Sequence, residues 1–500
     1  MARRAPPRRV GRQKRVKYQP RTKPFKHQSR AVIRGVRRRN YALFFEPRLG
    51  KSKTALDITA IHALLGRVKK VLIICPSIAR DVWEEQLHEH YPYEYEAETF
   101  TDEWMSSMRD LLAAGRTRFF IAGREETFRR TRDKRGRYQR PKQRLVEEFD
   151  PDLIIIDESH EAQRPGGVFA QDCWRLVERL RRTRAARTSS NDKLQPWVLL
   201  LSGTPNPKGW RPLFAQFRIM DSSLWGTSVG AWDERHVVYG HGRRRWTILR
   251  YNNVRRLEDT LRRNSSTCSA DEAGLANKVF LQKLRYVLPP SAARMYLDMV
   301  DEFVAEWEEG VLTAKNAGVK RIRLLQILGG FTTDGAQLHD SGVAAVASYA
   351  RVLYEQGESI VVYSRFTPEV IALTDALSHI GFQTWRVDGD TSRDDRRSAL
   401  AALKRPPHAP AAISAQVQAL SQAVELVGAA EVVYYGVPDG WTQYFQTSRR
   451  VMGPNQKRPV RLTFVTVPGT VHALQMRSLQ KKEDWHSALM RNPRRYLKDV

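Results

Sequence analysis

The sequence predicts an α/β protein: two tandem parallel-sheet domains behind a basic N-terminal arm. Three observations predict it. The chain runs to 500 residues, more than a single hydrophobic core usually organises. Short apolar runs of strand length alternate with helix-patterned stretches, once between Tyr41 and Leu201 and again between Ile360 and Val465. Each run gives way to polar residues, as strands buried on both faces of a parallel sheet do.

Residues 1–24 form the arm. From Met1 to Lys26 there are eleven Lys or Arg and no acid, and Pro6, Pro7, Pro20 and Pro24 oppose regular structure, so the arm is expected to be disordered. Its charge suits electrostatic contact with nucleic acid; a plain solvated tail and a nuclear-import signal are the alternatives. The first domain is placed at 25–221, with strands at Tyr41–Phe45, Val71–Cys75, Phe119–Ala122, Leu153–Ile156 and Trp197–Leu201. A helix after Gly50 turns Ala55, Leu56, Ile58 and Ile61 inward. Residues 222–280 lose the pattern and read as an insertion or connector. Its run from Gly240 through Arg243, Arg244 and Arg245 to Trp246 suits contact with bases or phosphates, and equally a surface loop without a ligand. A helical linker region, 281–340, holds a helix from Pro290 to Gly310, with Met295, Leu297, Met299, Val300 and Phe303 as its apolar face, and another from Arg321 to Leu328. The second domain, 341–482, has strands at Ile360–Tyr363, Gln383–Val387, Ala411–Ile413, Glu431–Tyr435 and Val460–Val465, and 483–500 is a tail.

Lys and Arg number 84 against 54 Asp and Glu, a formal charge of +30. So large a surplus repels itself unless a polyanion sits against it, which makes nucleic acid the expected partner. Charge that serves only solubility or anionic-membrane contact is the alternative. Apolar residues at 41% exclude wholesale disorder. Cys75, Cys173 and Cys268 are too few and scattered for a disulfide framework, and no C-x-x-C pair begins a zinc site, which points to a reducing compartment. No stretch approaches the ~18 apolar residues of a membrane span, and the N-terminus lacks an apolar signal core. The expectation is a soluble cytoplasmic protein of a prokaryotic or viral-host cell, or a nuclear one in a eukaryote.

Gly50-Lys51-Ser52 lies between a strand and a helix, where backbone N–H groups and the helix N-terminus form an anion site fit for a triphosphate. Lys51 would reach the terminal phosphates and Ser52 a Mg²⁺ ion. The full loop pattern asks for glycine five positions before Gly50, where Phe45 stands, with Arg48 close by. Asp157 and Glu158 follow four apolar residues, so they sit at the carboxyl end of a buried strand, where open α/β sheets place ligands. One acid beside Mg²⁺ and a second that orients or deprotonates water is what phosphoryl transfer to water requires. A helix N-cap run would favour the same residue types. Ser202-Gly203-Thr204-Pro205 after the fifth strand admits an ordinary turn.

In their order and spacing, Lys51, Asp157-Glu158-Ser159-His160 and Ser202-Gly203-Thr204-Pro205 resemble motifs I, II and III of superfamily 2 helicases, and within them the Swi/Snf-like branch with its compact viral and bacterial members. Pro24-Phe25-Lys26-His27-Gln28 resembles that family's adenine-reading glutamine motif. Cys75-Pro76-Ser77 with Trp83 and Glu84 resembles motif Ia and its following helix, and Arg323-Leu324-Leu325-Gln326-Ile327 the helix before the second domain. Tyr363-Ser364-Arg365-Phe366 resembles motif IV, and Val387-Asp388-Gly389-Asp390 with Arg393 and Arg396 the next turn. The resemblance spans about Phe25 to Lys482 and implies two RecA-like domains that use ATP and Mg²⁺. It assigns adenine to Gln28, the phosphates to Gly50 and Lys51, Mg²⁺ to Ser52 and Asp157, and the attacking water to Glu158. His160, Ser202, Thr204, Ser364 and Arg365 would couple nucleotide to nucleic acid, and Gln446 and Arg450 would face the nucleotide from the second domain.

Two departures stand out. Motif VI has a further arginine, often an arginine finger, three residues after the one matched by Arg450; Gly453 occupies that position, leaving Arg449, Lys457 or Arg458 as replacements. Motif V, matched by Ser421-Gln422-Ala423-Val424-Glu425-Leu426, lacks its usual glycine. The resemblance implies a DNA-stimulated ATPase, a helicase or translocase moving on duplex or forked DNA, with strand separation optional. A nucleic-acid-binding protein with a weakened ATPase and an RNA helicase are the alternatives, the latter without an RRM or KH signature.

Overall fold

The computed structural model describes residues 17–99, 116–132, 138–139, 141–187, 196–203, 209–241, 247–404, 406–420, 425–481 and 494. Along the first half lie β1 (Tyr41–Phe45), β2 (Lys70–Cys75), β3 (Tyr95–Thr99), β4 (Thr117–Gly123), the ribbon strands β5 (Thr131–Arg132) and β6 (Tyr138–Gln139), β7 (Leu153–Ile156), β8 (Trp197–Leu201), a second ribbon of β9 (Val237–Tyr239) and β10 (Ile248–Tyr251), and β11 (Ser265–Cys268). The second half carries β12 (Val279–Arg285), β13 (Ile360–Ser364), β14 (Gln383–Val387), β15 (Ala411–Gln416), β16 (Glu431–Tyr434) and β17 (Val460–Thr466). Two fully parallel sheets result, in the orders β11-β1-β8-β7-β2-β4-β3 and β12-β17-β16-β13-β15-β14. The α/β expectation of two parallel-sheet domains holds.

Alternate residues of each central strand feed opposite cores, which explains why the strands read as unbroken apolar runs. In β1, Tyr41, Leu43 and Phe45 pack with Ala55, Leu56 and Ile58 of the helix after Gly50, while Ala42 and Phe44 join Leu176, Leu213 and Phe214 on the other face. In β13, Ile360 and Val362 meet Tyr296, Val346 and Leu373, and Val361 and Tyr363 meet Ala399 and Leu462. Helices thus cover both faces of each sheet.

Several expectations need correction. The arm was expected to be disordered to residue 24, yet residues 17–24 pack on the first domain; residues 1–16 lie outside the described residues. The Tyr18 hydroxyl donates to Asp57 Oδ1 at 2.7 Å, Thr22 Oγ1 lies 2.8 Å from His90 Nδ1, and Arg21 reaches the Tyr91 carbonyl. The connector 222–280 supplies β11, which pairs with β1 from Ala42–Ser265 to Phe45–Cys268, so the chain returns to the first sheet before it crosses to β12. A four-residue polar strand gives no apolar signal, and so it was missed. The helix Pro290–Glu308 buries Tyr296, Val300, Phe303 and Val304, a stripe at helical spacing, and leaves Met295 and Leu297 at 44% and 58% exposure. Ile61 is only half-buried. Arg243–Trp246, Ser421–Val424 and, apart from Arg494, the tail 483–500 lie outside the described residues. All three cysteines are buried free thiols. Among the described residues, no helix is long and apolar enough to cross a membrane.

Candidate functional site

Strands β1, β8 and β7 are neighbours, so the segments leaving their carboxyl ends converge at one edge of the first sheet. These segments are Glu46–Gly50, Ser202–Gly203 and Asp157–His160. The first leads into the helix Lys51–Leu64 through Gly50 at φ 75°. A Cβ added there would lie 2.1 Å from Gln28 Nε2, so a side chain at this position would displace the Gln28 amide as well as strain the backbone. The Gln28 amide braces the loop: Nε2 donates to the Leu49 carbonyl at 3.0 Å and Oε1 accepts from Phe25 N at 2.9 Å, while His27 Nε2 lies 2.8 Å from the same carbonyl. Both ends of the side chain expected to read adenine are thus bonded to backbone. Lys51 Nζ donates to the Phe45 carbonyl at 3.2 Å, and Ser52 occupies the second helical position.

The acids are held differently from one another. Asp157 Oδ2 accepts from Trp83 Nε1 at 3.0 Å and its Oδ1 from Glu158 N at 2.9 Å. Burial and the neighbouring Glu158 charge push the Asp157 carboxyl up, against Lys51 and the Trp83 bond. Glu158 sits in left-handed backbone at φ 48°. Burial would raise its pKa too, but the His160 hydrogen bond and the charges of His160, Lys51 and Arg450 outweigh it and hold the carboxyl well below the usual range. Lys51 is itself pulled down by burial, with Arg450 and Arg48 adding and the two acids opposing. Lys51, Asp157, Glu158 and Arg450 therefore form one electrostatic cluster, in which the ionised form of Glu158 is the favoured one.

The second domain closes this cluster. Gln446 and Arg450 are buried against the first domain, and Gln446 Nε2 lies 3.2 Å from His160 Nε2. His160 Nδ1 lies 3.2 Å from both Ser202 Oγ and Glu158 Oε2. Burial pulls the imidazole pKa down, but Glu158 and Glu161 reverse the balance and leave it raised. Ser159 donates to Gln216 Oε1 at 2.8 Å and so fixes the turn that carries these groups. A second bridge joins Arg48, just before Gly50, to Glu425 at 2.7 Å.

Other expected residues stand apart. Arg365 bonds Asp439 and the Val437 carbonyl within the second domain, and Ser364 is buried with no hydrogen-bond partner for its hydroxyl among the described residues. Thr204 lies outside the described residues. Of the three replacements considered for the arginine absent at Gly453, Lys457 bonds the Pro454 carbonyl and Arg458 bonds Glu358 and the Gly428 carbonyl within the second domain, whereas Arg449 crosses to Glu46 at 2.9 Å. Sequence reasoning named Glu425 only within the degraded motif V, without its partner Arg48, and passed over the bond from Trp83 to Asp157. The only signal for the second was the presence of an indole in the helix after motif Ia.

Among the described residues no cluster of three or more His, Cys, Asp or Glu could hold a metal unaided. The donors instead suit an ion that shares its shell with phosphate oxygens, since Mg²⁺ commonly takes one or two protein oxygens and completes its shell from substrate and water. Gly50 caps the helix Lys51–Leu64, whose N-terminal backbone N–H groups suit a phosphate, with the buried Lys51 beside it.

The chain matches no protein-family model. It is 26% identical over 241 residues to putative protein p41 of Acyrthosiphon pisum secondary endosymbiont phage 1; the match takes in 45% of this chain and spans about half, 49%, of that relative. Among solved structures, it is similar to the Sulfolobus solfataricus SWI2/SNF2 ATPase core in complex with dsDNA, at 14% identity and a TM-score of 0.41 over 96% of this chain and 98% of that one. The SWI2/SNF2 ATPase core domain of the same organism gives 14% and 0.40, over 96% and 95%.

Proposed function

We propose that this protein is an ATP hydrolase of the superfamily 2, Swi/Snf-like kind that moves on DNA. The observation that carries the reading is the meeting of Lys51 and the Asp157–Glu158 pair, at the carboxyl edge of the first sheet, with Gln446 and Arg450 from the second domain. A nucleotide bound at such a cleft would report its state to both domains. Lys51 binds the terminal phosphates and the loop at Gly50 cradles them. Asp157 and Ser52 would hold Mg²⁺, which supplies charge neutralisation at the phosphates. Glu158, kept ionised by His160 and Lys51, orients the attacking water. The water oxygen bonds to the terminal phosphorus as the bond from phosphorus to the bridging oxygen breaks. ADP leaves with that electron pair, and the proton lost by water passes to the phosphate product or to solvent.

DNA is favoured as the track by the +30 charge together with the branch that the motifs resemble. Phosphate contacts alone carry no base information, so little sequence preference is expected. The test is phosphate release measured in parallel with single-stranded, duplex and forked DNA and with RNA, for the wild type and Lys51→Ala. Stimulation by duplex DNA that Lys51→Ala abolishes supports the reading. Turnover that no nucleic acid stimulates and that Lys51→Ala leaves unchanged overturns it, and stimulation greatest with RNA transfers the activity to RNA.

A further inference from the structure

Position 453 lacks an arginine, and the structure shows what stands in its space. Gly453 adopts φ 135°, and a Cβ added there would come within 3.0 Å of Arg48 Cβ and 3.2 Å of its Cγ. Asn277 clamps the position, accepting from Gly453 N at 2.7 Å. Arg48 belongs to the other domain, in the loop before Gly50, and is itself held in left-handed backbone at φ 72°, a conformation costly for a side-chain-bearing residue. Its guanidinium bonds Glu425 across the cleft at 2.7 Å with the side chain largely buried. Burial is the main influence that lowers its pKa to about 10, and Glu425, Arg450 and Tyr363 are the charged or polar groups that face it. Arg48 in turn acts on Lys51. Of the second domain's own candidates, Lys457 and Arg458 are bonded within that domain, and Arg449 is paired with Glu46 at the strand end of the loop that carries Arg48.

Resting on the ATP-hydrolase reading above, we propose that Arg48 supplies from the phosphate loop the transition-state positive charge that residue 453 does not, with Gly453 as the clearance that admits it and Glu425 as its holder. Negative charge grows on the bridging oxygen that leaves with ADP as its bond to the terminal phosphorus breaks, and a guanidinium beside it favours that state over the ground state. The two left-handed positions and the missing side chain then have one cause: an arginine moved from one wall of the cleft to the other.

The test compares Arg48→Ala and Arg48→Met, the second keeping the length of the side chain without its charge. It reads turnover, affinity for ADP, affinity for ADP with aluminium fluoride as the transition-state mimic, and the melting temperature. Expected are a loss of turnover of about 100-fold or more and a comparable loss of mimic affinity, with ADP affinity changed less than about 3-fold. Should Arg48→Ala not fold, Arg48→Met is read the same way. Unchanged mimic affinity, or equal losses for ADP and the mimic, overturns the proposal, because Arg48 would then be inert or a uniform binder. Failure of the underlying reading looks different: the wild type itself would show no Lys51-dependent hydrolysis.

Discussion

His160 of the first domain and Gln446 of the second face each other nitrogen to nitrogen at 3.2 Å, both buried. An amide nitrogen only donates, so while the ring is neutral the imidazole Nε2 accepts and the proton lies on Nδ1, toward Ser202 and Glu158. A second proton on His160 would set donor against donor and turn the amide over. This contact therefore links the charge state beside Glu158 to the fit of the two domains. Gln446→Ala is expected to lower nucleic-acid-stimulated turnover by about 10-fold, within the span of ordinary coupling free energies. Titration of a fluorescent ADP should show an affinity little changed. A loss of ADP affinity as large as the loss of stimulation would make Gln446 a nucleotide ligand and not a coupling residue.

Trp83 is 1% exposed, and its indole N–H is aimed at Asp157 Oδ2. Groups that hold a metal ligand in place commonly matter about 10-fold or more to metal affinity. Trp83→Phe keeps most of the buried ring but removes the donor, leaving Asp157 less favoured as an anion. Folding stability should fall by about 1–2 kcal/mol. The Mg²⁺ concentration at half-maximal turnover should rise about 10-fold. An unchanged Mg²⁺ requirement would show that the indole serves packing alone.

Gly50→Ala should disable the loop in two ways. Its backbone at φ 75° costs an alanine ~1–2 kcal/mol. Its Cβ would also meet Gln28 Nε2 at 2.1 Å, so the bond from Gln28 to the Leu49 carbonyl must break. ADP affinity is expected to fall about 10-fold, the equivalent of roughly 1.4 kcal/mol. Gln28→Ala in the same background should then add little, since the bond is already lost. Full additivity of the two changes would place Gln28 on the nucleotide and not on the loop.

The parallel sheets were legible because their strands are apolar on both faces: Leu153–Ile156 and Trp197–Leu201 have no other comfortable place than the centre of a sheet. The chemistry at the first sheet's edge followed, since the order of β1, β8 and β7 brings Lys51, Ser202 and Asp157 to one side once a parallel sheet is assumed. What the sequence hid is whatever depends on the meeting of distant segments. Ser265–Cys268 is polar and short, and becomes a strand only because β1 offers it an edge. Arg48 read as an intrusion into a glycine-rich loop, and its relation to Gly453 exists only across the cleft. Tyr18 looked like part of a charged tail until Asp57, buried in the helix after Gly50, gave its hydroxyl an acceptor.

Glu369 offers a test of the second domain by itself. Its carboxylate is 3% exposed at the start of the helix Thr367–Ile380, where Oε2 accepts from Arg365 N at 2.9 Å and Phe366 N at 3.0 Å. Burial pushes its pKa up to about 7, against the pull of those two N–H groups and the Arg365 charge. The native state thus keeps a proton that the unfolded chain gives up near pH 4.5. Native protein binds more protons than unfolded through that window, so stability falls as pH rises from about 4.5 to 7 and stays lower above it. The full effect is on the order of 3 kcal/mol. Glu369→Gln retains an oxygen acceptor for both N–H groups and has nothing to ionise. The two proteins should therefore melt together at pH 5, whereas at pH 8 the variant should melt about 5 °C higher. A difference in melting temperature that is the same at both values would show that the carboxylate is already ionised in the folded protein at pH 5.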